Sequence, residues 1–596
     1  MLGKIISINE NIVTVTLNFM TAKATNIINL HVLMDDGSSK IIGEITQVDQ
    51  DRAVINLLGE IVDGKFVYGV IRKPSFSADV KLIPKEKIPL IIGMPQYSEK
   101  KDLYLGKSAV YEGVDLGVNI NKFFSNHFAI FGSTGSGKSC SVARIFQNLF
   151  FLKKEFQAYK SSIFIFDAYG EYKSAFMPLS DLDNDLNFKT YTTNTKFEDT
   201  EILKIPIWLL GVDDIAILLG ADKHSQLPII EKALKLVNVF SREEDQTLKH
   251  KNDIIARALL DILSSGKPSV QIRDQVTSIL SHYHTSQLSL ETKIVQPGYT
   301  RPLRQLLLID ASGKMRDVEL LSSFLEEFIE EDLEFGLPDG SFKYNLKDLK
   351  DAFDFSLISE GVLKSDKVYD DSNVLRVRLH SLVNSDYHIF FDYPEFVTKE
   401  QFIRNLLTAT NGKKAQIINF NINYVDDRLA KTITKIYSKL LFDYAKDGTE
   451  KGKRPFHIIL EEAHRYVQHD NDINLLGYNI FERITKEGRK YGVMLGLISQ
   501  RPSELSETTL SQCSNFLIFK MLHPTDVRYI KEMVPNITDE TVKMLKILQP
   551  GTCVAFGTGF NVPVIIRFEM PNPAPDSRSV DISAIWFINK NKINED

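Results

Sequence analysis

Alternating apolar and polar positions dominate the first 95 residues. Segments rich in Val, Ile and Thr occupy residues 4–17, 26–34, 40–58 and 66–72, and turn signals such as Asp63-Gly64 separate them. A period of two is typical of strands with one buried face, and short strands joined by such turns favour a small antiparallel barrel. Residues 1–95 are therefore predicted to form an N-terminal β-barrel.

Beyond residue 105 the pattern changes to strand, loop and helix in alternation. An apolar segment at 126–131 precedes a loop and a helical pattern that ends near residue 151, and the apolar run 162–167 ends in an acid. Further apolar runs follow at 415–419, 455–460, 493–499, 516–521, 551–556 and 562–568. This alternation is typical of a parallel sheet with helices on both faces. We predict an α/β core made of residues 96–200 and 401–570.

The two halves of this core are separated by residues 201–400, which have mainly helical periodicity, as at 229–239, 253–263 and 318–335, and are predicted to form a helical insertion. The acidic run 328–334 is interpreted as the solvated face of an amphipathic helix rather than a docking surface. The tail, 571–596, begins with alternating prolines, which predicts an extended segment. Four apolar residues of the tail need burial, and we hypothesise that a neighbouring subunit provides it: Ile582, Ile585, Trp586 and Phe587.

The composition is that of an ordinary globular protein. The 596 residues are 43% hydrophobic and 25% charged, which suits three or four domains. No apolar stretch is long enough to cross a bilayer and the first residues alternate like a strand, so a cytoplasmic protein without a membrane segment is expected. The net charge of −6 argues against a generally basic surface, but a ring could still concentrate positive charge in a central channel. Cys140, Cys513 and Cys553 are too scattered for a disulfide framework or a zinc site.

The most specific chemical signal is the segment 132–139, GSTGSGKS, between the apolar run and the helical pattern. Its glycines let successive N–H groups face an anion, and the following helix adds its positive end. Lys138 would reach the β- and γ-phosphates and the Ser139 hydroxyl would ligate Mg²⁺, so ATP and Mg²⁺ are the expected cofactors. The alternative is a flexible Gly/Ser turn. The predicted nucleotide-binding residues are Gly132, Ser133, Thr134, Gly135, Ser136, Gly137, Lys138, Ser139 and Cys140.

Two acids follow the apolar run 456–460, as nucleotide hydrolysis requires. Glu461 is predicted to face the metal shell and Glu462 to act on the attacking water. The alternative is a glutamate-rich helix N-terminus, which is common. The next strand pattern ends at Gln500, whose amide could sense the γ-phosphate because it both donates and accepts hydrogen bonds.

A basic segment lies between these two strand patterns. Arg489 is our choice for a positive charge supplied across a subunit boundary to the transition state, with Arg483 as the reserve. For either arginine taken alone, an ordinary surface position is the alternative.

Taken together, these motifs resemble the HerA family of the HerA/FtsK ATPases. The resemblance rests on 131–139 (FGSTGSGKS), 166–172 (FDAYGEY), 460–464 (LEEAH), 487–492 (EGRKYG) and 499–502 (SQRP), and extends to 204–210 (KIPIWLL), 549–552 (QPGT) and 561–564 (NVPV). It therefore covers most of the chain. Ala168-Tyr169 stands where members often have Pro-His, which leaves the role of that loop open.

The resemblance implies an N-terminal β-barrel, a RecA-like core, a helical insertion and a hexameric ring that threads double-stranded DNA with ATP. It also implies Lys138 and Ser139 on phosphate and Mg²⁺, Glu462 as catalytic carboxylate, Gln500 as sensor and Arg489 as a finger acting in trans. Asp167 and Glu171 match a family motif to which we assign no role.

HerA-type proteins usually work with a partner enzyme. In archaea the partner is a nuclease for DNA-end resection, and in bacteria it is often a nuclease or a sirtuin-like NAD-consuming enzyme in defence against phage. The Lys-, Asn- and Ile-rich composition favours a mesophilic bacterium and hence the defence setting. Such a partner is expected to dock on the side of the N-terminal barrel.

Two other functions remain open at this point. One is a scaffold ATPase whose ring mainly assembles and activates the partner enzyme, with little DNA movement. The other is a monomeric P-loop kinase or GTPase, but the chain has neither the Asn-Lys-x-Asp guanine-reading motif nor the size of a small kinase. The leading interpretation is an ATP-dependent DNA translocase that drives a partner nuclease or NAD-consuming enzyme.

Overall fold

Strands with one buried face form the first part of the chain, as the alternation predicts. The computed structural model describes residues 2–17, 27–93, 101–151, 157–196, 200–330, 342–363, 366–448, 451–468, 470–533, 537, 539–577 and 581–587. The chain divides into two units, Met1–Glu201 with Arg404–His469 and Ile480–Asp596, and Ile202–Ile403 with Asp470–Asn479. The predicted boundary at residue 95 falls within 94–100, outside the described residues.

The first sheet is a closed antiparallel barrel. Its strands follow the order β1-β2-β5-β4-β3-β7, with β6 paired to β5, and a bridge between Gly3 and Val80 joins the two ends of the sheet. Alternate residues such as Val13, Val15 and Ile55 have no exposed surface and fill the interior. The strands are β1 (Ile5–Asn9), β2 (Ile12–Thr16), β3 (His31–Asp35), β4 (Lys40–Val48), β5 (Arg52–Val62), β6 (Lys65–Tyr68) and β7 (Asp79–Leu82).

The same unit contains a twelve-stranded sheet in the order β13-β12-β14-β11-β15-β16-β10-β17-β18-β19-β8-β9. The seven strands from β12 to β17 in this order are parallel. The strands are β8 (Asp102–Ser108), β9 (Asp115–Asn119), β10 (His127–Phe131), β11 (Ile163–Asp167), β12 (Phe188–Thr192), β13 (Glu201–Ile202), β14 (Ile417–Asn421), β15 (Phe456–Leu460), β16 (Val493–Ser499), β17 (Cys513–Phe519), β18 (Thr552–Gly557) and β19 (Val564–Arg567).

The predicted parallel sheet continues at one end into an antiparallel part, formed by β18, β19, β8 and β9. Parallel neighbours need a long crossover, usually a helix, whereas β18 and β19 are joined by a short loop and so form a hairpin. The strands β10 and β11 are buried along their whole length, as expected of strands covered on both faces.

Helices connect the strands of this unit. Its α-helices are Ile88–Ile92, Ile120–Phe124, Lys138–Phe151, Lys173–Phe176, Leu179–Leu182, Asp427–Asp447, Ile480–Tyr491, Glu507–Ser511, Pro524–Met533, Asp539–Leu545 and Ile582–Trp586. Single 3₁₀ turns lie at Lys85–Lys87, Ala463–Arg465 and Pro502–Glu504. The predicted mixed α/β fold, with a small N-terminal barrel and a RecA-like P-loop core, is confirmed.

The second unit is mainly helical, with one hairpin of Lys293–Gln296 and Tyr299–Pro302. The helix predicted over 318–335 ends at Glu326, and residues 331–335 lie outside the described part of the chain. Asp470–Asn479 also belongs to this unit, which the sequence pattern did not indicate. The helices are Val212–Leu219, Leu227–Phe240, Glu244–Leu263, Ser269–His282, Leu303–Leu306, Val318–Glu326, Leu346–Leu363, Asp366–Asn384 and Asp472–Leu476, with 3₁₀ turns at Ile207–Leu209, His224–Gln226 and Asp386–Phe391. A further helix, Lys399–Leu407, includes the boundary between Ile403 and Arg404.

The tail begins with a segment that contains neither helix nor strand, 571–577, which we call the C-terminal strap. The Gln147 side chain bonds the Asn572 N–H at 3.1 Å and the Pro573 carbonyl at 2.8 Å, so the strap is fixed to the helix Lys138–Phe151. Farther on, Trp586 and Phe587 are 72% and 79% exposed in the single chain. Their burial by a neighbouring subunit stays a prediction.

Among the described helices, none is both long and apolar enough to span a bilayer.

Candidate nucleotide site

The glycine-rich segment lies at the carboxyl end of β10, between that strand and the helix Lys138–Phe151. Gly135 and Gly137 have φ angles of +72° and +93°, which residues with side chains rarely adopt. The Gly132 N–H donates to the Ser499 carbonyl at 3.3 Å and the Ser133 N–H to the Lys520 carbonyl at 2.8 Å. The loop is therefore tied to the strands on both sides of β10.

Close packing also requires glycine at 137. A Cβ atom there would lie 2.6 Å from the backbone nitrogen of Gly551, a separation that real Cβ atoms do not show. The Gly551 N–H in turn donates to the Ser136 carbonyl at 2.9 Å. The segment 549–552, which only the family resemblance singled out in the sequence, thus packs against Ser136 and Gly137 of the P-loop.

The P-loop residues fit a bound triphosphate. Lys138 is 9% exposed, and its ammonium donates to the carbonyls of Gly132 at 2.7 Å and Ser133 at 3.1 Å. Burial lowers the pKa of Lys138, and the carboxylates of Glu462, Glu461 and Glu171 act in the opposite direction. The buried Ser136 hydroxyl has no hydrogen-bond partner among the described residues. A buried cation and an unpaired donor beside a row of N–H groups suit an anion.

Glu462 follows β15 directly and has a strained backbone. Its φ of +48° lies in the left-handed region, which costs a non-glycine residue about 1–3 kcal/mol and is most often found at functional sites. The side chain is 8% exposed. Burial raises the pKa of Glu462, while Lys138 and the Gln500 backbone N–H lower it. The predicted catalytic carboxylate therefore lies close to the P-loop lysine.

Glu461 is oriented differently from its neighbour. It is 3% exposed, and its Oε2 accepts a hydrogen bond from the Ala168 N–H at 3.1 Å. Burial raises its pKa well above the ordinary value, and the charges of Asp167 and Glu171 add to this. Its predicted role in the metal shell stays a prediction.

Asp167, at the end of β11, fixes the loop that follows it. Its carboxylate accepts hydrogen bonds from the N–H groups of Gly170 at 2.7 Å, Glu171 at 3.0 Å and Tyr172 at 3.0 Å. The Asn419 side-chain amide donates to it at 3.2 Å. The sequence suggested no role for Asp167, and its spacing to residues 170–172 is a signal for such a side-chain turn.

The predicted sensor Gln500 lies at the carboxyl end of β16, and its Oε1 accepts a hydrogen bond from the Thr134 hydroxyl at 2.7 Å. Next to it, the Ser499 hydroxyl contacts His464 Nδ1 at 3.1 Å, and this nitrogen is 3.2 Å from Glu462 Oε2. The Ser499–His464 contact, which sequence reasoning missed, links the end of β16 to the segment that contains Glu462. Cys140 is half-buried, with its sulfur 3.9 Å from the Ser577 hydroxyl of the C-terminal strap.

Arg489 and Arg483 lie on the helix Ile480–Tyr491, which leads into the amino end of β16. Arg489 is exposed. Burial, and to a smaller extent the positive charge of Arg489, lower the pKa of His127, the first residue of β10, to about 4. The 7 residues of β16 separate this edge from Gln500, which corresponds to about 23 Å at about 3.3 Å per residue. Arg483 pairs with Glu487 at 3.8 Å. Within one chain, Arg489 is therefore at the opposite edge of the sheet from the P-loop.

A P-loop after one strand, paired acids after a second and an amide after the strand between them define a P-loop ATPase with a RecA-like core. The family model described as the central domain of helicase HerA matches residues 103–441. The chain belongs to this HerA helicase family. It is accordingly an ATPase, as the motifs predicted.

Several known proteins are similar to this chain, either over most of it or over about a quarter of it. A probable helicase, MJ1565, of Methanocaldococcus jannaschii is 23% identical over 562 residues, which cover 92% of this chain and 83% of that protein. The DNA double-strand break repair helicase HerA of Saccharolobus solfataricus is 30% identical over 162 residues, 26% of this chain and 32% of that protein. Among solved structures, VirB4 of Thermoanaerobacter pseudethanolicus matches 80% of this chain and 98% of its own, with 13% identity and a TM-score of 0.44.

Proposed function

We propose that this chain forms a hexameric ring that moves double-stranded DNA with the energy of ATP hydrolysis. The supporting observation is the division of the charged groups between two edges of the parallel strands. Lys138, Glu462 and Gln500 lie at the carboxyl edge, whereas Arg489 lies at the amino edge. A finger arginine that is remote from its own P-loop would complete the site of a neighbouring subunit.

In the proposed cycle, the Lys138 ammonium exchanges the carbonyls of Gly132 and Ser133 for the β- and γ-phosphates. Ser139 and Glu461 would hold Mg²⁺, which when bound neutralises charge on the phosphate oxygens. Glu462 orients the attacking water and accepts its proton. Gln500 couples the γ-phosphate to the P-loop through Thr134, to which it is already bonded.

The DNA part of the proposal is supported by relatives that are named helicases and DNA double-strand break repair helicases. Contacts to the phosphate backbone would move the duplex with little sequence preference. Because the whole chain has a net charge of −6, the positive charge that holds DNA would be concentrated in the channel.

Added duplex DNA is expected to raise the rate of ATP hydrolysis several-fold, because translocation couples each turnover to movement along the phosphate backbone. The measurement is phosphate release with duplex, single-stranded and no DNA, at low and high salt. Stimulation should decline at high salt, since backbone contacts are salt-dependent. No stimulation by duplex, with or without a candidate partner enzyme, would contradict translocation.

A partner-organising role is supported by apolar residues exposed on the barrel. Val67 and Tyr68 of β6 are 50% and 47% exposed, and Ile71 and Phe76 just after it are 93% and 63% exposed. Several exposed apolar residues within one short segment are typical of an interaction surface. We propose that this β6 surface, residues 67–76, docks a nuclease or NAD-consuming enzyme in DNA-end processing or defence against phage.

Ile71→Asp is expected to abolish co-purification with a candidate nuclease or NAD-consuming enzyme encoded next to this chain, because a charge would be buried at the interface. Ile12→Asp is the matched control, since Ile12 on β2 is also exposed, at 48%. The ring mass should be unchanged in both. Equal retention of the partner by Ile71→Asp would reject this docking surface.

A further inference from the structure

Glu171 lies in a loop whose backbone is held from two sides. Inside the loop, the Asp167 carboxylate accepts its N–H at 3.0 Å. From outside, the Asp576 N–H of the C-terminal strap donates to its carbonyl at 2.8 Å. The preceding Gly170 has a φ of +77°, and a Cβ there would lie 2.7 Å from the Asn421 amide. The position of Glu171 is therefore set by backbone contacts, which leaves its side chain available for a ligand.

The Glu171 side chain is directed toward the P-loop. Its Oε2 atom is buried and has no hydrogen-bond partner in the part of the chain that the structure describes. Burial raises the pKa of Glu171, and the negative charges of Asp167 and Glu462 also raise it. A hydrogen bond with the Ser139 hydroxyl and the positive charge of Lys138 lower it. The groups around the carboxylate thus include both residues that the P-loop directs at Mg²⁺ and phosphate.

Glu461 differs from Glu171 in the groups that surround its carboxylate. The Glu461 carboxylate accepts from the Ala168 N–H and is surrounded by the Asp167 loop. Glu171 instead faces Ser139, whose hydroxyl is the expected Mg²⁺ ligand. Mg²⁺ is usually held by one or two carboxylates together with substrate phosphates and waters. An unpaired carboxylate oxygen beside Ser139 suits that chemistry.

We propose that Glu171 is a carboxylate of the Mg²⁺ shell, which makes the site selective for Mg²⁺-bound over metal-free nucleotide. This rests on the proposed ATP-hydrolysing function of the same site. With Mg²⁺ present, the negative charge of Glu171 stabilises the cation. Without Mg²⁺, the same charge repels the triphosphate.

The test compares binding of a fluorescent ATP analogue to full-length wild type and Glu171→Gln, in EDTA and across a Mg²⁺ titration. Glu171→Gln is expected to need at least about tenfold more Mg²⁺ for half-maximal binding, which corresponds to about 1.4 kcal/mol. Its affinity in EDTA should equal or exceed that of wild type, because a repulsive charge is removed. Glu86→Gln, the same change at an exposed glutamate far from Glu171 in the sequence, should have the Mg²⁺ requirement of wild type.

An unchanged Mg²⁺ requirement in a folded Glu171→Gln protein would overturn the proposal. Equal weakening with and without Mg²⁺ would also overturn it, because that result indicates a role in loop structure alone. If Glu171→Gln does not fold, Glu171→Asp, which keeps the charge but shortens its reach, should still raise the Mg²⁺ requirement, and a wild-type requirement would overturn the proposal. Failure of wild type to bind Mg²⁺-nucleotide would instead reject the proposed function.

Discussion

ATP hydrolysis is expected to fall by about a thousandfold or more in Lys138→Ala and in Arg489→Ala, each purified alone, and to return in part when the two are co-assembled. Lys138→Ala removes the cation that holds the β- and γ-phosphates. Arg489→Ala removes the charge that we assign to the neighbouring site. In a mixed ring, an intact P-loop from an Arg489→Ala subunit can meet an intact Arg489 from a Lys138→Ala subunit.

The measurement is phosphate release at saturating ATP by rings co-expressed with two different tags and purified by both. Lys490→Ala is the matched control, because Lys490 is the adjacent exposed cation on the same helix. Its activity should stay close to wild type. Native mass measurements establish that each variant assembles. Mixed rings with no more activity than either variant alone would contradict a finger acting between subunits.

Glu462→Gln is expected to bind ATP with wild-type affinity and to hydrolyse it at least about a hundredfold more slowly. A positioned general base contributes about 10²–10⁴ in rate, and an amide of the same shape cannot accept the proton. The Glu462 side chain is 8% exposed and its carboxylate interacts electrostatically with the Lys138 ammonium. Single-turnover hydrolysis and nucleotide binding, measured on the same preparation, separate the two steps.

Glu462→Gly is the companion variant, since it removes the carboxylate and also relieves the left-handed backbone at φ +48°. It should be as inactive as Glu462→Gln but more resistant to thermal unfolding, because glycine adopts that conformation without strain. A Glu462→Gln protein that hydrolyses ATP within a factor of about ten of wild type would disprove the assignment.

Several elements were predictable because their signals are local. The alternation of Val13 and Val15 with Thr14 and Thr16 predicts the buried positions of the two valines in the barrel, and both valines have no exposed surface. Residues 163–166 are apolar throughout and form β11 together with Asp167, and the strand is buried along its length. In each case the pattern depends only on the period of the element and on which of its faces is covered.

Other elements were not predictable from local patterns. The antiparallel end of the large sheet depends on which strands become neighbours, and β19 pairs with β8 although more than four hundred residues separate them in the sequence. The segment Asp470–Asn479 joins the mainly helical unit although the strands on either side of it in the chain belong to the sheet. Strand neighbours and unit membership are set by packing between distant segments, which leaves no periodic signal.

The order of residue types along the chain is enough to predict the chemistry of this protein. The spacing of glycines, Lys138 and Ser139 predicts a phosphate-binding loop, and two acids after an apolar strand predict a hydrolytic site. The packing of the folded chain sets how those groups face one another. It directs Glu461 toward the Asp167 loop and Glu171 toward Ser139, and it sets Gly551 against Gly137. Residue types and spacings are written along the chain, whereas the direction of a buried side chain depends on which distant segments pack around it.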